Sequence, residues 1–298
     1  MNSLQHFEIP KIVQFQENEF GLVKIIISNE LADAEIYLYG GNLTHFQPKD
    51  EKPVIFDGRK TEMDPVKTLH AGIPVCWPWF GPHPTDSSKP QHGFARNRVW
   101  EVRETVQLLT GETKVVLGLN EDEETLKLFA YPFDLALTFT IGKQLNIELR
   151  TYNSGTLPIH FTQALHNYFL ISDIDDVVVN GVERVPFIDL TDEEKEKQES
   201  APLLINRVIN RVYYPINGRC EVVDDGAKRK INIDREGSNS TTIWNPGNHN
   251  GIHDLQGDKY RKFVCIETTN ARRDSITLKP GEFHRMIQEI SLSENSSK

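Results

Sequence analysis

Two stretches carry ionisable side chains where strand patterns usually carry apolar ones. In LPIHFTQALHNYFLISD (157–173), side chains of an extended strand alternate between faces. Phe161, Leu165 and Phe169 then share a core face. His160, Thr162, Ala164, His166 and Tyr168 share the other. That second face is too polar and aromatic for a core, yet it lacks the Lys and Glu of a wet surface, so it suits the wall of a cleft. His166 stands at its centre, and imidazole is the side chain whose charge switches most readily near neutral pH. The competing reading is a structural histidine bonded to a buried carbonyl.

In KFVCIETTNARRD (262–274), Phe263, Cys265 and Glu267 fall on one face and Val264 and Ile266 on the other. A carboxylate inside an apolar strand is rarely buried without a partner or a task. Either it pairs with Arg272 or Arg273, or it is a base whose pKa desolvation has raised. Both readings stay open at this point.

The chain also places unusual aromatic density in HAGIPVCWPWFGP (70–82), followed by QHGFARNRVW (91–100). Proline lacks a backbone N–H and fixes φ, so the first run is neither a helix nor a central strand. Residues 89–103 hold Lys89, Arg96, Arg98 and Arg103 against Glu101 alone. Such a basic loop on an acidic chain suits a small anionic ligand, unless these cations merely form weak surface ion pairs. His249 and His253 in WNPGNHNGIHD lie four apart. Pro246, Gly247 and Gly251 make that stretch a loop without a near third ligand, so no metal is expected. No phosphate-loop, dinucleotide-binding or nucleophile-elbow motif occurs.

The elements that must position these groups are strands. LVKIIIS (22–28), AEIYLYG (34–40), TKVVLGLN (113–120), FDLALTFTIG (133–142) and LNIELRTYN (145–153) are rich in β-branched and aromatic residues, mostly alternating with period two. IGKQLN reads as a hairpin connection between the last two. Further strands are expected at 159–170, 176–180, 219–223, 229–234, 241–244, 262–268 and 282–291, with no amphipathic helix of twelve residues. DLTDEEKEKQES (189–200) reads as a solvated loop or short surface helix. The expected fold is all-β, a large antiparallel sandwich. We read it as one domain over residues 1–298, frayed from about residue 293.

With 298 residues the chain can bury a sizeable core without staples. Its formal charge of −10 disfavours nucleic acid as a partner. Cys76, Cys220 and Cys265 form no C-x-x-C pair, the N-terminus lacks a secretory pattern, and no apolar run is long enough to span a membrane. A cytoplasmic location is therefore expected.

Four blocks in order, HAGIPVCWPWFGP, QHGFARNRVWEV, ALHNYFLISDI and WNP…VCIETTNA, resemble the glucose-6-phosphate 1-epimerases of the aldose 1-epimerase superfamily. The likeness extends from about Gly40 to about Gln288. It implies a galactose-mutarotase-like supersandwich that interconverts α and β anomers of hexose 6-phosphates, glucose 6-phosphate foremost, without metal or cofactor. It implies a small sugar phosphate as partner and a monomer rather than an oligomer. His166 matches the family's catalytic acid and Glu267 its catalytic base; Gln91 and Arg96 match substrate-binding positions, with His92 beside them.

Two departures bear on specificity. His70 stands where the family usually has Arg, replacing a permanent bidentate cation by a titratable ring. Asn210 in INRVYY stands where an Asp is expected. On this reading Glu267 takes the O1 proton while His166 protonates the ring oxygen, the two converging on opposite sides of one sugar ring. Trp77 and Trp79 offer flat faces to the pyranose, and Arg96, helped by Lys89 or Arg98, meets the phosphate. The alternatives are a mutarotase for unphosphorylated aldoses, a non-catalytic sugar-binding protein on the same fold, and a metal-dependent β protein using His249 and His253.

Overall fold

Alternating apolar residues make half-buried strands, and the strands pair where their apolar faces can share one core. The computed structural model describes residues 2–58, 63–65, 69–248 and 251–295. A nine-stranded antiparallel sheet runs in the order Leu203–Leu204, Val177–Asn180, Cys220–Asp224, Arg229–Glu236, Phe283–Glu294, Leu145–Tyr152, Asp134–Ile141, Thr113–Asn120 and Glu101–Gln107. The eight-stranded sheet runs Lys195–Lys197, Phe187–Asp189, Ile209–Tyr213, Ser240–Asn245, Phe263–Asn270, Gln163–Leu165 and Val75–Cys76, and Tyr168–Leu170 also pairs with Phe263–Asn270. Val13–Glu17, Val23–Ser28, Ala32–Tyr37 and Asn42–Pro48 form a separate four-stranded meander.

One apolar cluster joins the inward side chains of both large sheets, among them Leu137, Ile147, Leu149 and Ile290 from the first and Leu165, Val264 and Ile266 from the second. The hairpin at IGKQLN forms as expected, with Ile141 opposite Leu145. The last strand pairs as far as Glu294, opposite Arg229. The longest α-helix among the described residues is Glu123–Leu128, started by a capping box between Asp122 and Thr125.

Val13–Glu17, Asn42–Pro48, Glu101–Gln107 and Ile209–Tyr213 are strands that the sequence reading did not expect, and two expected elements take another form. Residues 159–170 are three short strands, Ile159–Phe161, Gln163–Leu165 and Tyr168–Leu170, with His166 and Asn167 in the gap between the last two. The charged stretch 189–200 is a hairpin, in which Ile188 pairs with Glu196. The buried Asp189 carboxylate takes hydrogen bonds from Thr191 and Lys197, tying the turn to both of its strands.

Candidate active site

Register builds the floor of the site. Because residues two apart on a strand face the same way, two cross-sheet rows stack side by side. In one row Val212 lies opposite Thr242 and Thr242 opposite Glu267. In the other, Asn210 lies opposite Trp244, Trp244 opposite Cys265, and Cys265 opposite Tyr168. His166 completes the first row from the gap before Tyr168, its amide donating to Pro74 O at 3.0 Å. His70, Gln91, His92, Arg96, His166, Asn210 and Glu267 all line a single cavity of about 350 Å³.

His166 Nε2 lies 3.6 Å from Glu267 Oε1. That separation is too long for a hydrogen bond, so each group keeps its bonding capacity for a third partner. His166 is 7 % and Glu267 1 % exposed. Arg272 and Arg273 pair with Glu194 and Glu196 instead, which removes the ion-pair reading of Glu267. Burial raises the Glu267 carboxyl well above the usual carboxylate range. Burial first, then the charges of His92, Arg96 and His70, pushes His166 well below the ordinary imidazole value. The sequence reading expected the neighbouring carboxylate to raise His166; the shift runs the other way, with desolvation its largest cause. Both shifts favour a pair that shares one proton and carries no net charge.

Arg96 Nε, His166 Nδ1, Thr242 Oγ1 and Glu267 Oε2 are buried without a hydrogen-bond partner. All four belong to residues lining this one cavity. Buried polar atoms are normally satisfied; the others left unpartnered among the described residues, Trp77 Nε1, Arg229 Nε, Asn232 Oδ1 and Arg235 Nε, belong to residues outside this cavity.

The wall facing these rows comes from two docked loops. Trp77 O accepts hydrogen bonds from Phe94 N at 2.9 Å and Ala95 N at 3.2 Å, and His92 N donates to Gly81 O at 2.7 Å. Gly93 permits the contact: a Cβ there would stand 2.0 Å from Trp77 O, on a backbone at φ +71°. His92 Nδ1 accepts from Gly81 N at 3.2 Å, and its Nε2 lies 3.2 Å from the Gln91 side-chain amide. Burial, then Arg96 and His70, lowers His92 to about 3, so it stands neutral in the wall. Arg96 donates to Gln91 O at 3.0 Å and has no carboxylate partner among the described residues. Asp254 grips His70 twice, accepting from its backbone N and lying against its Nδ1, each at 2.8 Å. His70 and Asn210 thus both reach the cavity.

The tryptophan assignment is corrected. Trp77 is 0 % exposed and packs against Phe94, Phe129, Phe133 and Phe161. It is core, with no face free for a ligand. Trp79 lines a neighbouring cavity of about 580 Å³. Lys89 donates to Leu128 O and Arg103 pairs with Asp134; neither Lys89 nor Arg98 lines the cavity. Phe80, Tyr168, Trp244 and Thr242 line it instead. Tyr168 stacks on His166 with ring centroids 4.8 Å apart, and Trp244 stands edge-on to both rings. Trp244 shares the face of Thr242 in Ser240–Asn245, and that alternation was the available signal. Among the described residues no group of three His, Cys, Asp or Glu side chains could hold a metal ion; His249 lies outside them.

Residues 23–291 match the aldose 1-epimerase family. The chain belongs to that family. A Cenchrus ciliaris protein named "Putative glucose-6-phosphate 1-epimerase" is 30% identical over 274 residues, covering 88% of this chain and 82% of that one. The crystal structure of a "putative mutarotase (YeaD)" from Salmonella typhimurium superposes with TM-score 0.88 and 26% identity, over 98% of this chain and 99% of that one. Galactose 1-epimerase from Lactobacillus acidophilus, 15% identical with TM-score 0.71 over 95% and 98% of the two chains, shares the fold. As a family member the chain is an isomerase of the mutarotase type on a galactose-mutarotase-like β supersandwich. No helix among the described residues is long and apolar enough to cross a membrane.

Proposed function

We propose that the cavity interconverts the α and β anomers of hexose 6-phosphates, glucose 6-phosphate foremost, by acid–base ring opening and closure. The observation that carries this reading is the buried His166–Glu267 pair, 3.6 Å apart and unbonded. Mutarotation needs one proton taken from O1 and one given to O5. These oxygens share the anomeric carbon, so two groups side by side on one wall can serve both. This replaces the opposite-sides arrangement of the sequence reading, because no ring fits between groups so close.

The pair holds one proton. With that proton on His166, Glu267 removes the O1 hydrogen as C1=O1 forms and the C1–O5 bond breaks, and His166 protonates O5. Rotation about C1–C2 and the reverse transfers close the other anomer. Each step returns one proton to the pair and forms no bond to the protein. A positioned acid or base commonly contributes about 10²–10⁴-fold, enough for a reaction that already proceeds in water. Arg96, a cation without a carboxylate partner among the described residues, supports an anionic substituent on the sugar, with His70 held by Asp254 nearby. Trp244, Tyr168 and Phe80 offer aromatic surface to the ring's C–H faces.

NMR exchange spectroscopy on equilibrated glucose 6-phosphate tests this, with free glucose and galactose as controls. Faster α/β exchange of the phosphorylated sugar is expected, lost in His166→Ala and Glu267→Gln. Acceleration of free aldoses alone would move the assignment to unphosphorylated sugars.

A further inference from the structure

Asp254 comes from the short turn His253–Leu255, 184 positions beyond His70 in the chain. Its Oδ2 accepts from His70 N and its Oδ1 lies against His70 Nδ1, each at 2.8 Å. Burial works against this carboxylate, and the His70 hydrogen bonds outweigh it, holding the group below the ordinary carboxylate range. An ionised carboxylate only accepts, so Nδ1 carries the proton between them. With its backbone and one ring edge both held, the imidazole has one orientation, and the edge left over is Nε2. That nitrogen has no hydrogen-bond partner among the described residues, and it is not sealed off: the side chain is 25 % exposed, and Nε2 is not among the buried unpartnered atoms. His70 lines the same cavity as Arg96.

We propose that Asp254 is a positioning residue for sugar-phosphate binding: it fixes the His70 ring so that Nε2 meets the substrate's phosphate beside Arg96. The inference rests on the hexose-phosphate reading above. A carboxylate on one edge of the ring and a phosphate on the other both favour its charged form, so Nε2–H donates to the anion. A loose imidazole would lose rotamer freedom when the phosphate arrives, and Asp254 has removed that freedom beforehand. Asp254 also stands two residues from Ile252, which lines the cavity. A purely structural role would therefore act on that wall and not through His70.

The test measures α/β exchange of glucose 6-phosphate and of free glucose in wild type, His70→Gln, Asp254→Ala and the double variant. Asp254→Ala lowers kcat/KM on glucose 6-phosphate by roughly 3- to 10-fold, the worth of ordering one side chain, and does so through KM. His70→Gln lowers it by about 10-fold or more, the worth of a hydrogen bond to a charged group. Adding Asp254→Ala to His70→Gln costs nothing further, because the two residues act as one unit. Free glucose is affected far less by all three. Additive losses in the double variant, an equal loss on free glucose, or no loss in Asp254→Ala overturns the positioning role while leaving the mutarotase reading standing. A wild-type protein that accelerates free glucose alone, or neither sugar, overturns the hexose-phosphate reading and this inference together. If circular dichroism shows Asp254→Ala unfolded, Asp254→Asn, which removes the charge and keeps an acceptor for His70 N, takes its place in the same cycle.

Discussion

The side-chain amides of Asn167 and Gln288 exchange two hydrogen bonds across the sandwich interior, 2.7 and 2.9 Å long. Asn167 also donates to Ile266 O at 2.7 Å, and the Thr268 hydroxyl donates to Gln288 Oε1 at 2.7 Å. Asn167 follows His166 and Thr268 follows Glu267 in sequence. One glutamine from the nine-stranded sheet thus ties the gap that presents His166 to the strand that presents Glu267.

Gln288→Leu should therefore strand buried polar groups on both segments, costing roughly 1–3 kcal/mol for each one left unsatisfied. Loss of alignment should lower kcat about tenfold with KM nearly unchanged. Denaturant unfolding and exchange kinetics measure the two effects. A destabilised variant with wild-type kcat would show the clip to be structural only.

Glu267→Gln should abolish most activity and raise stability. Burial holds the Glu267 carboxyl above its unfolded value, so folding at neutral pH must take up a proton and stability falls as pH rises through the carboxylate range. The amide has no such cost. Its melting temperature should exceed wild type at pH 7–8, with the gain shrinking towards pH 4; each kcal/mol reads as roughly 2–4 °C for a chain of this size. A gain that stays constant with pH would contradict the buried-proton assignment.

The rate should follow a bell in pH, because the pair works only while it holds one proton. Protonating both groups removes the base, and burial puts that limb below the ordinary histidine value of 6.5. Losing the shared proton removes the acid, and burial puts that limb well above the ordinary carboxylate value of 4.5. Both limbs belong to the pair as a whole. Buffer-corrected kcat between pH 4 and 10 reads them directly, and a single limb would count against a one-proton pair.

Arg96→Ala should raise KM for hexose 6-phosphates about 10- to 100-fold, the worth of a charge-assisted contact. Free glucose should be affected far less. Equal weakening of the two sugars would remove the phosphate role.

The two tryptophans should part company. Trp77→Ala opens a cavity in the core and should cost about 3–5 kcal/mol. Trp244→Ala removes a partly buried cavity wall packed on Tyr168 and Phe263, so it should raise KM and lower the unfolding midpoint less than Trp77→Ala does. Parallel calorimetry and kinetics on both variants separate them.

The sequence by itself determined the strands of 113–120, 133–142 and 145–153, because period-two apolar alternation survives there whatever the topology, and left Val13–Glu17, Glu101–Gln107 and Lys195–Lys197 unmarked. It also marked Glu267, since a carboxylate in an apolar strand is conspicuous without coordinates, and the four ordered blocks gave the family. Tertiary structure alone decided which side chains meet. Pairing between distant strands placed His166 beside Glu267 and set Thr242 opposite it; no local pattern encodes that register. The same holds for Trp77 and Trp244. Both are aromatic residues near loops, and only the packing of Phe94, Phe129, Phe133 and Phe161 around the first sends it into the core and leaves the second to face the cavity. Burial, a property of the assembled sheets, also reversed the expected shift of His166, because desolvation depends on what surrounds a group and not on its neighbours in the chain.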